Sequence, residues 1–365
     1  MNKRSRVKNV IKRFLYFSLF YLRLFDLFLK ILVKVRHQHP CIILLYHRIT
    51  NNNSKYHNKE RAMHHHIKHL ERELPYFKKN YQILTLDEVI QGLKSGVGFR
   101  RPSVAITFDD GYLDNYTLAY PVLKKYGVPA TIYLATDFIG TSQRIWTDQI
   151  EFMLLGARKD QFSLHRLFGD KELRIKTKEE KEQVSNKITE ALKKRPDAER
   201  TEILCELFKT LEINSNHGKD CEERIMLNWD EVRKMAKNGI TIGSHSHTHP
   251  ILSRMPIQKA KEEILESKKI IEENLSIKVK HFAFPNGKQD DFNEELKDYC
   301  QEVGFESVAS VIYGTNYASN ESNFVLKRIS AITPVWMLAG ELVRLFWKDG
   351  IKKGFQRTQQ TQRTQ

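Results

Sequence analysis

Two short stretches hold the side chains best suited to chemistry. Thr107-Phe108-Asp109-Asp110-Gly111-Tyr112 sets two carboxylates side by side directly after an apolar run, SVAITF. Neighbouring acids repel one another and burial raises their pKa values, so a pair at the end of a buried strand calls for a cation. Gly111 permits the sharp turn that brings both acids to one mouth. An ordinary Asp-Gly turn is the plainer alternative. The second stretch, Gly243-Ser244-His245-Ser246-His247-Thr248-His249-Pro250, also follows an apolar run. His245 and His249 are four apart, so one helical turn or a tight loop aims both imidazoles at one point. His247, at odd spacing, is expected to point elsewhere. Two imidazoles and a carboxylate suit zinc and related divalent ions, and three protein ligands leave positions for water and substrate. Taken together, Asp110, His245 and His249 make a metal triad. Asp109 is then a spare acid, suited to act as a general base on water at such a site. The run His64-His65-His66 is different: it opens a polar helix with no strand before it and reads as solvated.

Both stretches need strands to hold them. Apolar runs at 42–46, 81–84, 103–108, 130–135, 239–243, 279–284, 307–311 and 325–329 alternate with helical patterns from near 87 and at 113–126, 229–238, 258–273 and 291–303. Such alternation predicts a mostly parallel sheet or barrel. About seven strands in a stretch of this length favour an α/β fold of the (β/α) barrel type over an open sheet, with its site at the C-terminal ends of the strands. Residues 157–223 break the rhythm with Lys, Glu and Arg at helical spacing and read as a solvated helical insertion.

The motifs TFDDG and HSHTH, with the block LNWDEVRKMAKNGITIGSHSHTHPIL and the stretch FAFPNG at 282–287, resemble the NodB-type polysaccharide deacetylases, carbohydrate esterase family 4. The likeness extends over about residues 40–330 outside the charged insertion. It implies a distorted (β/α) barrel that removes acetyl groups from N-acetylated amino sugars in a glycan or glycolipid. Asp109 would be its catalytic base, and Asp110, His245 and His249 would hold a divalent ion, zinc first, with cobalt or nickel also fitting. The oxyanion and substrate region would fall at Phe284, Pro285, Asn286 and Gly287, with Tyr112, Trp146 and Asp148 as further substrate candidates. Two positions depart from the family pattern. The Arg that usually braces the base is Ala283 here, so Arg328 or Arg48 is expected to substitute. The usual C-terminal Leu-x-His is missing, because no histidine follows His281. His47, in Leu45-Tyr46-His47, takes its place as the acid, which implies the permuted order seen in poly-N-acetylglucosamine deacetylases. A catalytically weak carbohydrate-binding protein and an O-acetyl esterase are the alternative functions.

Hydrophobic residues make up 41% of the chain, enough for a large core. The formal charge is +16, with Lys3, Arg4, Arg6, Lys8, Lys12 and Arg13 and no acid in residues 1–13, and a basic tail from Lys352 to Arg363. Basic ends beside apolar segments point to an anionic membrane surface, and no nucleic-acid-binding motif is present. Residues 14–33 are long enough to span a bilayer, but Arg23, Asp26 and Lys30 each cost about 2.5–3.5 kcal/mol at its centre. Lys12, Tyr16, Leu19, Arg23, Asp26, Lys30 and Lys34 recur at steps of three or four as one polar stripe. That favours a helix lying in the interface over a signal-anchor, or a helix packed on the protein's own core. Residues 334–355 form a weaker amphipathic stretch that either touches the membrane too or closes the fold. Three regions follow: 1–36, a membrane-associating segment; 37–333, the deacetylase-like domain; and 334–365, the C-terminal segment and polar tail. Four cysteines with no CxxC pair weakly favour a reducing compartment. Peripheral attachment at the cytoplasmic face of a bacterial membrane is expected, with a signal-anchored external domain as the alternative.

Overall fold

A computed structural model describes residues 3–35, 38–52, 63–213, 224–318, 323–331 and 334–347. Seven parallel strands form a closed ring: β1 (Cys41–Tyr46), β2 (Ser103–Phe108), β3 (Ala130–Leu134), β4 (Ile240–Ser244), β5 (His281–Ala283), β6 (Ser307–Tyr313) and β7 (Val325–Ser330). Ring order follows chain order, and β1 closes the circle by pairing with both β7 and β2. The (β/α) barrel expected from the alternation is therefore the fold. Most strand residues are buried on both faces, which is why the strands read as continuous apolar runs. Outward-facing Ile42, Leu44, Val104, Ile106, Ile132, Ile242, Phe282 and Val308 pack under the helices. The alternate positions Ile43, Ala105, Tyr133, Ala283, Ala309 and Leu326 form a separate inner cluster with helix Leu86–Lys94 and with Leu84, which follows the two-residue strand Gln82–Ile83 paired with β2.

Register fixes what reaches the mouth. β1 and β2 pair from Cys41 with Ser103 to Tyr46 with Phe108, so His47 and Asp109 emerge at the same level. On the other side of β1, Ile43 pairs with Arg328.

Three expectations about the surroundings need correction. Residues 3–35 are not one striped helix but two, α1 (Lys3–Tyr21) and α2 (Leu24–Val35), broken at Arg23, whose φ is 59°. Tyr16 faces the protein instead of the polar stripe. It packs against Phe25 and over Gly340 of the helix at 335–347, which buries Leu338, Leu342, Leu345 and Phe346. Among the described residues no helix is long and apolar enough to cross a membrane. The His64–His66 run is a short strand paired with Arg48–Thr50. His65 is buried, its Nε2 lies 3.1 Å from the buried Glu73 carboxylate, and the same carboxylate accepts a hydrogen bond from the Tyr46 hydroxyl. Finally, the charged stretch is not simply solvated. Its helices α3 (Lys178–Leu192) and α4 (Asp197–Thr210) bury Val184, Ile188, Leu192, Ile203 and Leu207 against Trp146, Ile150, Met153 and Ile251. The helical spacing of those apolar residues, four apart within each helix, is masked by the charged residues between them. Residues 214–223, part of the expected insertion, and the tail beyond 347 lie outside the described residues.

Gly243 marks the tightest packing of the inner wall. A Cβ there would lie 2.5 Å from the Tyr133 ring and 2.9 Å from the His281 carbonyl. Gly243→Ala is expected to destabilise the fold by about 1–3 kcal/mol through overpacking, read as a lower midpoint in thermal unfolding by circular dichroism.

Candidate active site

The residues singled out by spacing converge at the C-terminal mouth of the barrel. Asp109 and Asp110 directly follow β2, and both carboxylates lie within 4 Å of His245 Nε2. Asp110 adopts φ 77° and Gly111 φ 85°, and a Cβ on Gly111 would meet Leu134 at 2.9 Å. After β4 the chain does not make a helical turn: Ser246 and His249 both sit at positive φ, 64° and 58°. Of the seven non-glycine residues at positive φ among the described residues, four (Asp110, Ser246, His249 and Asn286) lie in the three motif loops. Strained backbone of this kind costs about 1–3 kcal/mol per residue and concentrates where a fold holds functional groups in place.

Asp110 Oδ1 lies 3.3 Å from His245 Nε2 and 3.2 Å from His249 Nε2. One donor atom from each of the three residues falls within 4.8 Å of the others. His245 Nδ1 is 2.7 Å from the Ala283 carbonyl. A carbonyl can only accept, so that nitrogen carries the proton and Nε2 keeps its lone pair toward the cluster. Asp110 Oδ1 is buried with no hydrogen bond of sound geometry. A buried acceptor left in this state, faced by an imidazole lone pair, fits a divalent cation held by one carboxylate and two imidazoles. Burial by itself would lift the Asp110 pKa, but positive charge on the facing side, here from protonated His245 and His249, holds it well below the usual range. His247 turns away, as its spacing implied. Its Nδ1 is 2.9 Å from the Thr136 hydroxyl.

Asp109 has a different partner. Both its oxygens accept from Arg328, at 2.6 and 2.7 Å, and the guanidinium is fully buried. Arg328 also donates to the Ser310 carbonyl and to Thr107 Oγ1, and lies over the Tyr133 ring. Burial raises the Asp109 pKa, but Arg328 outweighs it and the net shift is downward. Ala283, at the place where the family pattern has Arg, lies in the same inner wall as Ala105 and Ala309. These small side chains leave the room that Arg328 fills from β7. Arg48, the other candidate, is elsewhere. It pairs with Asp114 at 2.8 Å and covers the Tyr112 ring.

His47 is half-buried, and its backbone carbonyl accepts from Asn115. Burial lowers its pKa, opposed by the charges of Asp110 and Asp109. The remaining candidates are less directly placed. Tyr112 is buried and donates its hydroxyl to Asp148 at 2.8 Å, so the two act on each other. Trp146 is mostly buried under the Arg200 guanidinium. Phe284 stacks on Phe292 at 4.4 Å within the core, and the Asn286 amide is bonded to Asp291. Neither side chain is free to line the mouth, and Gly287 is packed against the Phe284 carbonyl and Val311. Pro285 accepts from the Gly287 N–H.

Glu263, on the helix Ile257–Leu275, was not anticipated. Its carboxylate accepts from the backbone N–H of His247 and Thr248, at 2.9 and 2.7 Å, and from the Thr248 hydroxyl. It thereby ties down the loop that carries both histidines. It sits among other acids on a charged helix, and nothing in its spacing marks it out.

The parallel barrel has an acid braced inside and, at its mouth, a carboxylate–imidazole cluster that could hold a metal ion. Residues 96–308 match the polysaccharide deacetylase family, and the chain belongs to that family. It is 39% identical over 112 residues to YxkH of Bacillus subtilis, a match covering 30% of this chain and 37% of that protein. It is 30% identical over 177 residues to the poly-beta-1,6-N-acetyl-D-glucosamine N-deacetylase of Staphylococcus epidermidis, covering 44% of this chain and 54% of the relative. The matches thus span between about a third and a half of these curated relatives. Among solved structures, the Streptococcus pyogenes deacetylase PplD, in complex with acetate, shares the fold with a TM-score of 0.54 at 17% identity, over 84% of this chain and 98% of that one. IcaB from Ammonifex degensii does so with a TM-score of 0.53 at 16% identity, over the same two shares.

Arg328→Ala should leave Asp109 as a buried unpaired charge and cost about 3–5 kcal/mol of stability. Equilibrium denaturation would show this, and Arg328→Lys should recover only part of it, because Lys cannot bond both oxygens at once.

Proposed function

We propose that this chain hydrolyses N-acetyl groups on amino-sugar units of a polysaccharide, releasing acetate and leaving the free amine. An N-acetylated glycolipid would be cleaved by the same chemistry. The observation that carries the proposal is the division of labour between two adjacent acids: Asp109 is held by Arg328, and Asp110 faces two imidazoles. The name of the staphylococcal relative supports the N-acetylated sugar.

A divalent ion held by Asp110, His245 and His249 would supply Lewis acidity to the acetyl carbonyl, and zinc, cobalt and nickel all suit that donor set. Asp109 is kept ionised and oriented by Arg328, and each of its oxygens retains a second lone pair. It takes a proton from water as the water oxygen bonds to the acetyl carbon. His47, delivered beside it by the β1–β2 register, gives a proton to the sugar nitrogen as the carbon–nitrogen bond breaks. The pairing of Arg328 with Asp109, where the family pattern's Arg is Ala283, supports the catalytic reading over a binding-only protein.

Acetate release from N-acetylglucosamine oligomers tests this directly. A chelator should abolish it and a divalent ion should restore it. Asp110→Ala, His245→Ala and His249→Ala should lose bound metal in elemental analysis. Asp109→Asn and His47→Ala should keep the metal and slow turnover by about 10²–10⁴-fold. Wild-type rates in either variant would remove that residue from the mechanism, and release only from O-acetylated sugars would make the protein an esterase.

A further inference from the structure

The hairpin of α1 and α2 has two apolar faces, and only one of them is used. Phe25, Leu29 and Leu32 of α2 and Tyr16 of α1 are buried against the protein. Opposite them, Leu24, Leu27, Ile31 and Val35 form a stripe along α2, each at least two-fifths exposed. On α1, Phe14, Leu15, Phe17 and Tyr21 are exposed as well, and the exposed Trp347 lies 5.5 Å from Phe28 of α2. Of seventeen large hydrophobic side chains exposed among the described residues, eleven fall between Val10 and Val35. A patch of this kind marks a docking surface.

Charge selects the occupant. Residues 1–37 carry ten Lys and Arg and one acid, Asp26, which is already paired with Lys79. Lys30 and Lys34 are exposed beside the α2 stripe. Two copies meeting through this face would bring like charges together, whereas an anionic bilayer would satisfy both the apolar stripe and its basic border. The hairpin is also fixed to the barrel, through Tyr16 over Gly340, Phe17 on Trp336 and the Lys12–Glu341 ion pair.

We propose that the exposed face of the α1–α2 hairpin seats the protein on an anionic lipid surface, lying in the interface without crossing it. The full chain should co-sediment with vesicles containing phosphatidylglycerol, bind pure phosphatidylcholine vesicles at least tenfold more weakly, and be released by salt. Leu24→Ser/Leu27→Ser/Ile31→Ser should weaken partitioning at least tenfold with an unchanged thermal midpoint. Brominated acyl chains should quench Trp347 fluorescence, and Trp347→Phe should remove that quenching, which checks the orientation without disturbing the helices. The proposal is overturned if the chain stays in solution with both vesicle types, or if the triple variant binds as tightly as the parent. It is equally overturned if light scattering shows a stable dimer that the triple variant dissociates.

Discussion

At the centre of the barrel a guanidinium and a carboxylate neutralise one another out of reach of solvent. Arg328 and Asp109 are joined by two hydrogen bonds, and neither could be held charged at this depth without the other. Three features of the fold follow from that requirement. β7 must lie in the ring so that its arginine points inward, the inner wall must include small residues such as Ala105, Ala283 and Ala309 beside Tyr133, and β1 must close between β7 and β2. The same closure sets His47 next to Asp109, so charge compensation and the placement of the proposed acid have one structural cause.

The metal-type cluster is held by a different logic. Its ligands come from two loops whose backbones are bent to positive φ at Asp110, Ser246 and His249. Such bends persist only when the surroundings enforce them. Here Glu263 clamps the backbone of one loop, and the Ala283 carbonyl fixes the ring of His245. Asp109 and Asp110, neighbours in sequence, both lie near His245 Nε2, at 3.8 and 3.3 Å, yet the first is bonded to Arg328 and the second also faces His249.

Much of this was legible in the sequence because strand ends advertise themselves. An apolar run followed by Asp-Asp-Gly or by His at four-residue spacing identifies both the strand and what it carries, and the alternation of runs identifies the barrel. The family's C-terminal Leu-x-His is missing after His281, and the match Leu45-Tyr46-His47 is what puts His47 forward as the acid. Arg328 and Arg48 could not be separated, since each adjoins an apolar run and only the inter-strand register shows which one faces Asp109. The buried side of the charged insertion was hidden by composition, although Val184, Ile188 and Leu192 keep helical spacing. The break at Arg23 had no glycine or proline to announce it.

The separation of Arg328 from Asp109 by 219 residues has a consequence for biosynthesis. A chain that has emerged from the ribosome only as far as β6 holds the aspartate without its counter-ion, so the inner wall has no favourable way to close. Closing the ring, neutralising the acid and pairing the first strand with the last then become one late event, which waits for the final strand to be made.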